Sequence, residues 1–474
     1  MKKPKSNSSR KGVEVDWISS LPDEVLIHIL LFLTTKEAVQ TCILSKRWRN
    51  TWAALPTLNF NINEFWIDDL DGEHTDDDGE RRNPMARFER FVHGVLDNRE
   101  PKSLDLVRYS RQIGSDEPFP HMEWLNRIAL LMPRAIHIFI NRINFSWVNS
   151  VDLPDIVFSS SRLQHLKLGL YTSEKTIIRP ASVNLPSLKV LELSGVRLHH
   201  DFTQKLFMGC PSLEVLNLCT CDLHFSDISS KMLKKLTILG CRQYEQVRIA
   251  CPGVVSLFLC SHLRKESIGI SLKNMISLVN VSVGLYRNRY SSNSGNMLVL
   301  NLLSGLSNAT NLELYMNTPE LKEQLEKDIP NCRNFNNLKT LCIGKWNMSY
   351  DFYLVACLLK HCPNLKELVL SLDENQGDTN EEARRNVSGA VLWQHEYLET
   401  MNAAISEAHI ANVSEIKNAC KAGFPEKTGR PSRGAPGSWT YPPGNVKAAA
   451  KVTVVIRMPT VDVLLLYDLV TWFA

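Results

Sequence analysis

Near the start of the chain, apolar residues recur at the spacing of one face of an amphipathic helix. The residues at this spacing are Val25, Leu26, Ile29, Leu30 and Leu33. They predict a helix. Pro22, Asp23 and Glu24 favour its first turn, because proline needs no amide donor there and acidic side chains interact well with the positive end of the helix dipole. Ser19 and Ser20 are candidate N-caps.

Two further short helices are predicted behind the first. Thr34 followed by Glu37 forms a capping-box pattern and predicts a second helix. A third helix is expected to begin near Ser45, to include Trp48, and to end before Pro56. About 40 residues rarely bury enough apolar surface to fold alone. Either the rest of the chain or another polypeptide therefore covers the surplus apolar surface, and the pattern alone favours neither.

The long middle of the chain repeats a short signature in which two apolar residues flank one other residue. The signature pairs are Leu104/Leu106, Ile136/Ile138, Leu166/Leu168, Leu191/Leu193, Leu216/Leu218, Leu236/Ile238, Leu257/Leu259, Val281/Val283, Leu312/Leu314, Leu341/Ile343 and Leu368/Leu370. Successive pairs lie 20 to 32 residues apart. Most of these intervals match the period of leucine-rich repeats, so we predict an irregular array of such repeats whose longer intervals hold longer helices or loops.

Helical stretches between several signatures predict the convex side of a curved solenoid. These stretches are ARFERFVHGVLDN, EWLNRIALLM and DFYLVACLLKHCPNL. The expected fold is α/β, with a parallel sheet along the concave face and helices on the convex side. Within the strands, the leucines point inward and the alternate residues Lys189, Glu192, Glu214 and Asn217 point outward.

Three Cys-Pro pairs precede predicted strands, at Cys210, Cys251 and Cys362. We interpret them as ends of helices with small buried thiols, because a metal site needs several converging ligands and no CxxC pair occurs among the 12 cysteines. The same distribution argues against a secreted disulfide framework.

Composition narrows the function classes. The chain has 474 residues, 44% hydrophobic and 22% charged, with a net charge of only +4, so we expect folded protein and no nucleic-acid-binding face. The first residues lack the apolar core of a signal peptide. The apolar run at the C-terminus is interrupted by Asp462 and Asp468 and is shorter than a membrane span needs, so no membrane anchor is expected.

Motifs of enzymes and of cofactor sites are missing from the sequence. It contains no GxxxxGK[ST] phosphate loop, no HExxH pair and no GxSxG elbow. The acidic run DDLDGEHTDDDGERR does not fit a calcium loop, because Ile67 and His74 stand where Gly72 and Gly79 would require oxygen ligands. We therefore expect no catalytic residue, no cofactor and no metal, and we interpret the acidic run as a loop.

The opening helices resemble the F-box, the helical module through which substrate receptors dock on the Skp-type adaptor of cullin-RING ubiquitin ligases. The resemblance covers about residues 16 to 60 and rests on LPDEVLIHILLFL, TTKEAVQTCILSKRWRNTW and LPTLNF. It implies an adaptor-binding surface formed or supported by Leu21, Pro22, Glu24, Leu26, Ile29, Leu30, Val39, Leu44, Ser45 and Trp48.

Together, the F-box and the repeats resemble the large plant family of F-box and leucine-rich-repeat proteins, many of which end in an FBD domain. LWQHEYLET resembles the entry to that domain, but the Pro/Gly-rich sequence after it departs from the alternating strands expected, so a complete FBD is in doubt. The resulting layout is a basic tail over 1–15, an F-box over 16–60, an acidic loop over 61–85, repeats over 86–375, a partial FBD-like or helical segment over 376–420, and a linker and divergent tail over 421–474.

The resemblance implies a non-catalytic substrate receptor of an Skp, cullin and F-box ubiquitin ligase, located in the nucleus, the cytoplasm or both. The F-box would bind the Skp adaptor and through it the cullin-RING ligase, and the repeats would bind an unidentified target protein. Two alternatives stay open: a receptor or scaffold without a role in ubiquitination, and a hydrolase with an unrecognised site.

Overall fold

A computed structural model describes most of the chain up to residue 372 and one short segment beyond it. The described residues are 18, 21–65, 83–100, 103–113, 123–142, 153–172, 175–263, 269–287, 299–316, 325, 329–346, 352–372 and 453–457. The chain divides into two compact units. The first contains Met1–Arg111 and Glu123–His137, and the second contains Gln112–Met122 and Ile138–Ala474.

The first unit is mainly helical. Its α-helices are Asp23–Leu30, Thr35–Gln40, Pro84–Asn98 and Glu123–Leu130, and its 3₁₀ helices are Thr41–Ile43, Thr51–Ala54 and Ile62–Phe65. Its strand Thr57–Asn61 pairs in parallel with Leu106–Ile113. A further strand, Ala135–Arg142, contains residues of both units. The helices predicted from ARFERFVHGVLDN and EWLNRIALLM are confirmed.

An aromatic cluster forms the centre of the first unit. Phe60, Phe88, Tyr109 and Trp124 are almost fully buried. The ring of Trp124 lies 4.9 Å from that of Tyr109 and 5.8 Å from that of Phe88, measured between centroids. Edge-to-face and tilted contacts of this kind stabilise a core beyond the area that they bury. The cluster joins the strand after the F-box helices to the helix Pro84–Asn98.

The second unit is built on a long parallel sheet, called here the main sheet. Its strands are His165–Tyr171, Val190–Ser194, Val215–Cys219, Lys235–Leu239, Ser256–Leu263, Asn280–Arg287, Asn311–Met316, Thr340–Trp346, Glu367–Leu372 and Thr453–Arg457. Each strand pairs with the next in chain order. The last strand lies in the segment that the sequence predicts as a linker and divergent tail.

The predicted repeat signature is confirmed by the register of the main sheet. The first members of nine successive signatures are direct strand partners: Leu166, Leu191, Leu216, Leu236, Leu257, Val281, Leu312, Leu341 and Leu368. All nine are buried. Since side chains alternate between the faces of a strand, the intervening residues line the opposite face.

The prediction that Leu104 and Leu106 are the inward-facing residues of the first signature is wrong. The inward-facing residues of this strand are Val107 and Tyr109, which pair with Leu58 and Phe60. Leu104 is buried just before the strand. The reason is that Thr57–Asn61, which sequence reasoning left inside the F-box, is itself a strand and sets the register of its neighbour.

The prediction of helices behind the main sheet holds for only some repeats. His200–Gly209, Val299–Gly305 and Phe352–Lys360 are helices, and Asp155–Phe158 and Ile329–Asn331 are 3₁₀ helices. The shorter repeats instead carry small parallel strands. One sheet, called here the lateral sheet, contains Thr176–Ile177, Val196–His199, Asp222–His224 and Arg242–Gln243, and another contains Asp227–Ser229, Val247–Ala250 and Ile270–Leu272. The intervals of 20 and 21 residues, from Leu216 to Leu257, hold only such strands because they leave little room for a helix, whereas the 25-residue interval from Leu191 to Leu216 holds both a small strand and the helix His200–Gly209.

A left-handed residue follows three successive strands of the main sheet and directs the chain into the lateral sheet. These residues are Gly195, Thr220 and Gly240, with φ of 71°, 49° and 62°. Each donates its backbone N–H to a carbonyl of the next strand, at 2.7 to 3.0 Å. The same bend therefore recurs in consecutive repeats.

The three Cys-Pro pairs begin equivalent tight turns. The carbonyls of Cys210, Cys251 and Cys362 accept hydrogen bonds from the backbone N–H three residues later. All three thiols are free and buried. Burial raises their pKa to about 12, 11 and 12, respectively. These cysteines therefore act as small core residues, as predicted. The predicted helix end is confirmed at Cys210 and Cys362 but is wrong at Cys251, which follows the strand Val247–Ala250.

Several sequence predictions lie outside the described residues. They concern the basic tail, the acidic run from Asp68 to Arg82, the FBD-like LWQHEYLET and the Pro/Gly-rich sequence after it. The candidate caps Ser19 and Ser20 also fall there.

Candidate functional site: the F-box surface

The first two helices of the F-box begin in different ways. Asp23–Leu30 begins directly after Pro22, which makes no side-chain cap. Thr35–Gln40 has the predicted capping box: Thr34 accepts from the Glu37 amide, and the Glu37 carboxylate accepts from the Thr34 amide at 2.8 Å. The second helix therefore starts at a fixed position, which sets where the 3₁₀ helix Thr41–Ile43 follows it.

A small core joins these elements. Its buried members are Leu26, Leu30, Ala38, Trp48 and Leu55, and half-buried Leu21, Ile27, Leu33 and Trp52 pack against it. Leu26 and Leu30, four residues apart, lie on one face of the first helix. That helix therefore has one face committed to the F-box interior.

The predicted third helix from Ser45 is not formed. Turns cover residues 46–50, and only the 3₁₀ helix Thr51–Ala54 follows. This stretch includes Trp48, Asn50, Thr51 and Trp52, which are weaker helix formers than alanine, leucine or glutamate. Side-chain contacts compensate: Arg47 donates to Asp23 and to the Leu21 carbonyl, and the Trp52 indole donates to the Arg49 carbonyl.

Large apolar side chains remain at the surface of the F-box. They are Ile18, Val25, Ile29, Leu31, Phe32, Ile43 and Leu44. Phe32 and Ile43 are 81% and 84% exposed. Val25, Ile29 and Phe32 follow the four- and three-residue spacing that places side chains on one side of a helical turn. Concentrated apolar exposure of this kind marks an interaction surface more often than a solvated one.

The structure separates the predicted adaptor residues into three groups. Exposed are Pro22, Glu24, Ile29, Leu44 and Ser45; half-buried are Leu21 and Val39; buried are Leu26, Leu30 and Trp48. The buried residues can support a contact surface but cannot form it. Val39 lines a groove of about 530 Å³ with Trp52, Phe91 and Val95. Adaptor contact by the exposed members stays a prediction.

Sequence reasoning omitted Ile43 and Phe32 from the site. Ile43 lies between Cys42 and Leu44, and three consecutive apolar residues cannot all face one core from a short helix. This run of three apolar residues could have indicated that one of them, such as Ile43, is exposed. Phe32 lies just beyond the first helix, where its ring contacts His28 edge-on at 5.6 Å.

A polar network occupies the outward face of the main sheet. The His165 ring lies 2.8 Å from one oxygen of Glu192, and the Lys167 ammonium lies 3.4 Å from the other. The hydrogen bond with His165, helped by the charge of Lys167, lowers the pKa of Glu192 to about 2, although burial acts in the opposite direction. Glu192 was predicted to face outward, and here it is held by its neighbours in the adjacent strand.

Neither a metal cluster nor a membrane-spanning helix occurs in the part of the chain that the structure describes. No three His, Cys, Asp or Glu side chains there are grouped to hold a metal ion. No described helix is long and apolar enough to cross a membrane.

Comparison with known families finds both an F-box and leucine-rich repeats in the chain. The F-box domain matches residues 18–59, and the family described as "FBD-associated F-box protein At5g56370, LRR repeats" matches residues 122–281. F-box protein At3g03040 of Arabidopsis thaliana is 30% identical over 375 residues, which cover 75% of each chain. The chain belongs to the F-box and leucine-rich-repeat family.

Two other relatives from Arabidopsis thaliana name the repeats or the FBD together with the F-box. F-box/LRR-repeat protein 13 is 29% identical over 383 residues, covering 75% of this chain and 77% of its own. FBD-associated F-box protein At1g66310 is 28% identical over 370 residues, with coverage of 75% and 77%. The family therefore includes both repeat-named and FBD-named members.

Proposed function

We propose that this chain is the substrate-recognition subunit of an Skp, cullin and F-box ubiquitin ligase. The observation that carries the proposal is the set of exposed apolar side chains of the F-box, which includes Ile43, Phe32 and Ile29. Burying such side chains contributes about 1.5–3 kcal/mol each. A partner with a complementary apolar surface, such as the Skp-type adaptor, would gain that free energy on binding.

The repeats supply a second, separate surface. Rows of outward-facing side chains run across the main sheet, and neighbouring strands hold residues such as Glu192 in fixed positions. A parallel repeat array of this type presents an extended face for a protein ligand. We propose that this face holds the target protein.

In this proposal the chain contributes position and not chemistry. The F-box binds the adaptor and the repeats bind the target, so target lysines reach a high effective concentration near a separate ubiquitin-conjugating enzyme. The complex would act in the nucleus, the cytoplasm or both.

The test compares two isoleucines of similar exposure. Ile43→Ser removes an apolar contact in the F-box, and Ile276→Ser, at a residue 71% exposed in the second unit, is the matched control. We expect Ile43→Ser to weaken binding of recombinant Skp-type adaptor to the full chain by about tenfold or more, because one buried apolar side chain is lost. Ile276→Ser should bind as the unchanged protein does.

Equal adaptor binding by all three proteins would overturn the proposed docking surface. Normal adaptor binding without ubiquitination of any solenoid-bound protein in a reconstituted ligase would instead indicate a receptor or scaffold. The two parts of the proposal therefore fail separately.

A further inference from the structure

The lateral sheet carries a row of charged side chains that the adaptor and target surfaces above do not use. Arg197 and Arg242 are the strand partners of Asp222 on either side. The Asp222 side chain is only 2% exposed, whereas those of Arg197 and Arg242 are 30% and 47% exposed. We call these three residues the arginine row.

Lys175 is the cation closest to the buried carboxylate of the arginine row. Its ammonium lies 3.1 Å from Asp222 Oδ1 and also donates to the Thr220 carbonyl. A buried carboxylate needs one such partner to offset the loss of hydration. Lys175 is the nearest cation, but Asp222 Oδ1 has no hydrogen-bond partner among the described residues, and one carboxylate offsets only one of the three positive charges of Lys175, Arg197 and Arg242.

The two arginines are too far from Asp222 to be satisfied by it. The Nε atoms of Arg197 and Arg242 lie 3.8 and 4.0 Å from the nearest carboxylate oxygens. These distances exceed the donor–acceptor distance of a hydrogen bond. Within the described part of the chain the Arg197 Nε atom has no acceptor. Among the described residues, Asp222 is therefore shared by three cations, so two positive charges are in excess, and neither guanidinium group has an acceptor within hydrogen-bond distance.

The spacing of the row suits a small tetrahedral anion. Arg197 and Arg242 lie on strands either side of a central one, so their backbones are about 10 Å apart. Guanidinium groups reaching inward from that separation can bracket one phosphoryl group, each donating two parallel hydrogen bonds. A single carboxylate offers fewer oxygens for two such forks.

Rings at the other end of the same strands keep this face rigid. His199, His224 and Tyr244 stack across the sheet, with centroids 5.0 and 4.0 Å apart. Burial lowers the pKa of both histidines, helped by Arg179 and Arg197 at His199 and by His199 and Arg197 at His224, so they add no charge at neutral pH. Asp201 acts in the opposite direction on His199, and Asp222 and Glu245 do so on His224.

We propose that the arginine row binds a phosphoryl group, either on a phosphorylated side chain or as a free phosphate. Arg197 and Arg242 donate to its oxygens from the two sides, and Lys175 with Asp222 fixes the floor between them. The site lies on the lateral sheet, away from the outward face of the main sheet. It does not depend on adaptor binding, so its failure would leave the ligase proposal intact.

The experiment titrates the full chain with two probes, inorganic phosphate and N-acetyl-O-phosphoserine amide, by calorimetry. Arg242→Gln removes one fork, and Arg248→Gln is the matched control, because Arg248 is equally exposed but already paired with Asp227 at 2.6 Å. We expect Arg242→Gln to weaken binding about tenfold or more, the usual effect of losing charged hydrogen bonds, and Arg248→Gln to change it less than about twofold.

Arg242→Lys distinguishes the effect of the paired guanidinium donors from the effect of the positive charge. It keeps the positive charge but not the paired donors, so it should still weaken binding severalfold. Tighter binding of the phosphoserine probe than of phosphate would identify a modified side chain as the source, and equal binding would identify the free anion. Absence of binding to both probes below about 10 mM, or equal losses in the Arg242 and Arg248 variants, would overturn the proposal.

Discussion

Arg47 ties the end of the F-box to its beginning by contacting Asp23. The Arg47 Nε donates to Asp23 Oδ1 at 2.8 Å, and a terminal nitrogen donates to the same oxygen at 2.6 Å and to the Leu21 carbonyl. The Leu21-Pro22 segment, which leads into the first helix, is therefore held in place by a residue from the irregular stretch after Ser45.

Removing Arg47 should loosen this entrance without unfolding the chain. The ion pair is largely exposed and contributes little alone, but the bond to the Leu21 carbonyl is also lost, so we expect Arg47→Ala to cost about 1 kcal/mol. Hydrogen exchange of the amides of residues 21–30 should accelerate. Asp23→Asn, which keeps the carbonyl contact, should have a smaller effect, and equal exchange in both variants would contradict this role for Arg47.

Substitutions at Leu26 and Ile29 should affect different properties, although the two residues lie three positions apart on one helix. Leu26 should matter for stability and Ile29 for adaptor binding. Leu26 is fully buried, so Leu26→Ala should lower the free energy of unfolding of the F-box by about 2–5 kcal/mol. Ile29 is 40% exposed, so Ile29→Ser should change stability by less than about 1 kcal/mol and still weaken adaptor binding. Urea denaturation and adaptor titration of both variants provide the comparison. Loss of stability in Ile29→Ser to the level of Leu26→Ala would show that the face is internal.

Glu192 should make stability depend on pH in the acidic range. Its folded-state pKa of about 2 lies below the ordinary value, so its charged form stabilises the fold above about pH 4.5, and this contribution falls as pH drops towards 2. At pH 7, Glu192→Gln should be less stable by about 1 kcal/mol, a figure reduced for solvent screening. The difference between the two proteins should shrink progressively below pH 4.5. A constant difference in thermal midpoints from pH 7 to pH 2.5 would argue against the network.

Equivalent bends should respond in opposite directions to substitution. Gly195 has φ of 71°, and a Cβ there would lie 2.6 Å from the Leu170 carbonyl oxygen, so Gly195→Ala should destabilise the fold by about 1–3 kcal/mol. Thr220 occupies the same place in the next repeat with φ of 49°, which a β-branched residue adopts only under strain. Thr220→Gly should therefore be neutral or stabilising by up to about 1 kcal/mol. Denaturant unfolding measures both, and a shared sign would refute the equivalence of the two bends.

The Cys-Pro thiols should resist alkylation while the chain is folded. Cys210, Cys251 and Cys362 are buried, and burial raises the pKa of each, so little reactive thiolate forms at pH 7.5. Cys42, which is half-buried, should react first with iodoacetamide. Peptide mass spectrometry gives the order, and denaturant should abolish the difference. Early labelling of Cys210 in native protein would show that its turn is open.

The main sheet was predictable because its information is local and repeated. Each signature such as Leu191/Leu193 fixes which face of a strand is buried, and repetition then fixes the register between strands. The capping box was predictable for the same reason, since it is defined by two residues, Thr34 and Glu37, that lie three positions apart.

The features that escaped prediction depend on partners distant in the chain. Thr57–Asn61 is a strand because Leu106–Ile113 pairs with it, and nothing within five residues signals that pairing. In the arginine row, Arg197 and Arg242 lie 25 and 20 residues from Asp222 in the sequence. The three charges become neighbours only because the lateral sheet pairs their strands. Within the F-box, the apolar pattern predicted the first helix but could not distinguish buried Leu26 from exposed Ile29, because burial depends on where the second helix packs.

Position-for-position pairing along the main sheet has an evolutionary consequence. Any strand from Val190–Ser194 to Asn311–Met316 meets both neighbours through the same kind of register. Deleting or duplicating one whole repeat would bring together edges that already fit, changing the length of the array by about 4.8 Å without rebuilding a core. The span of surface offered to a target can thus vary in discrete steps, and related chains can diverge in reach while keeping one way of folding.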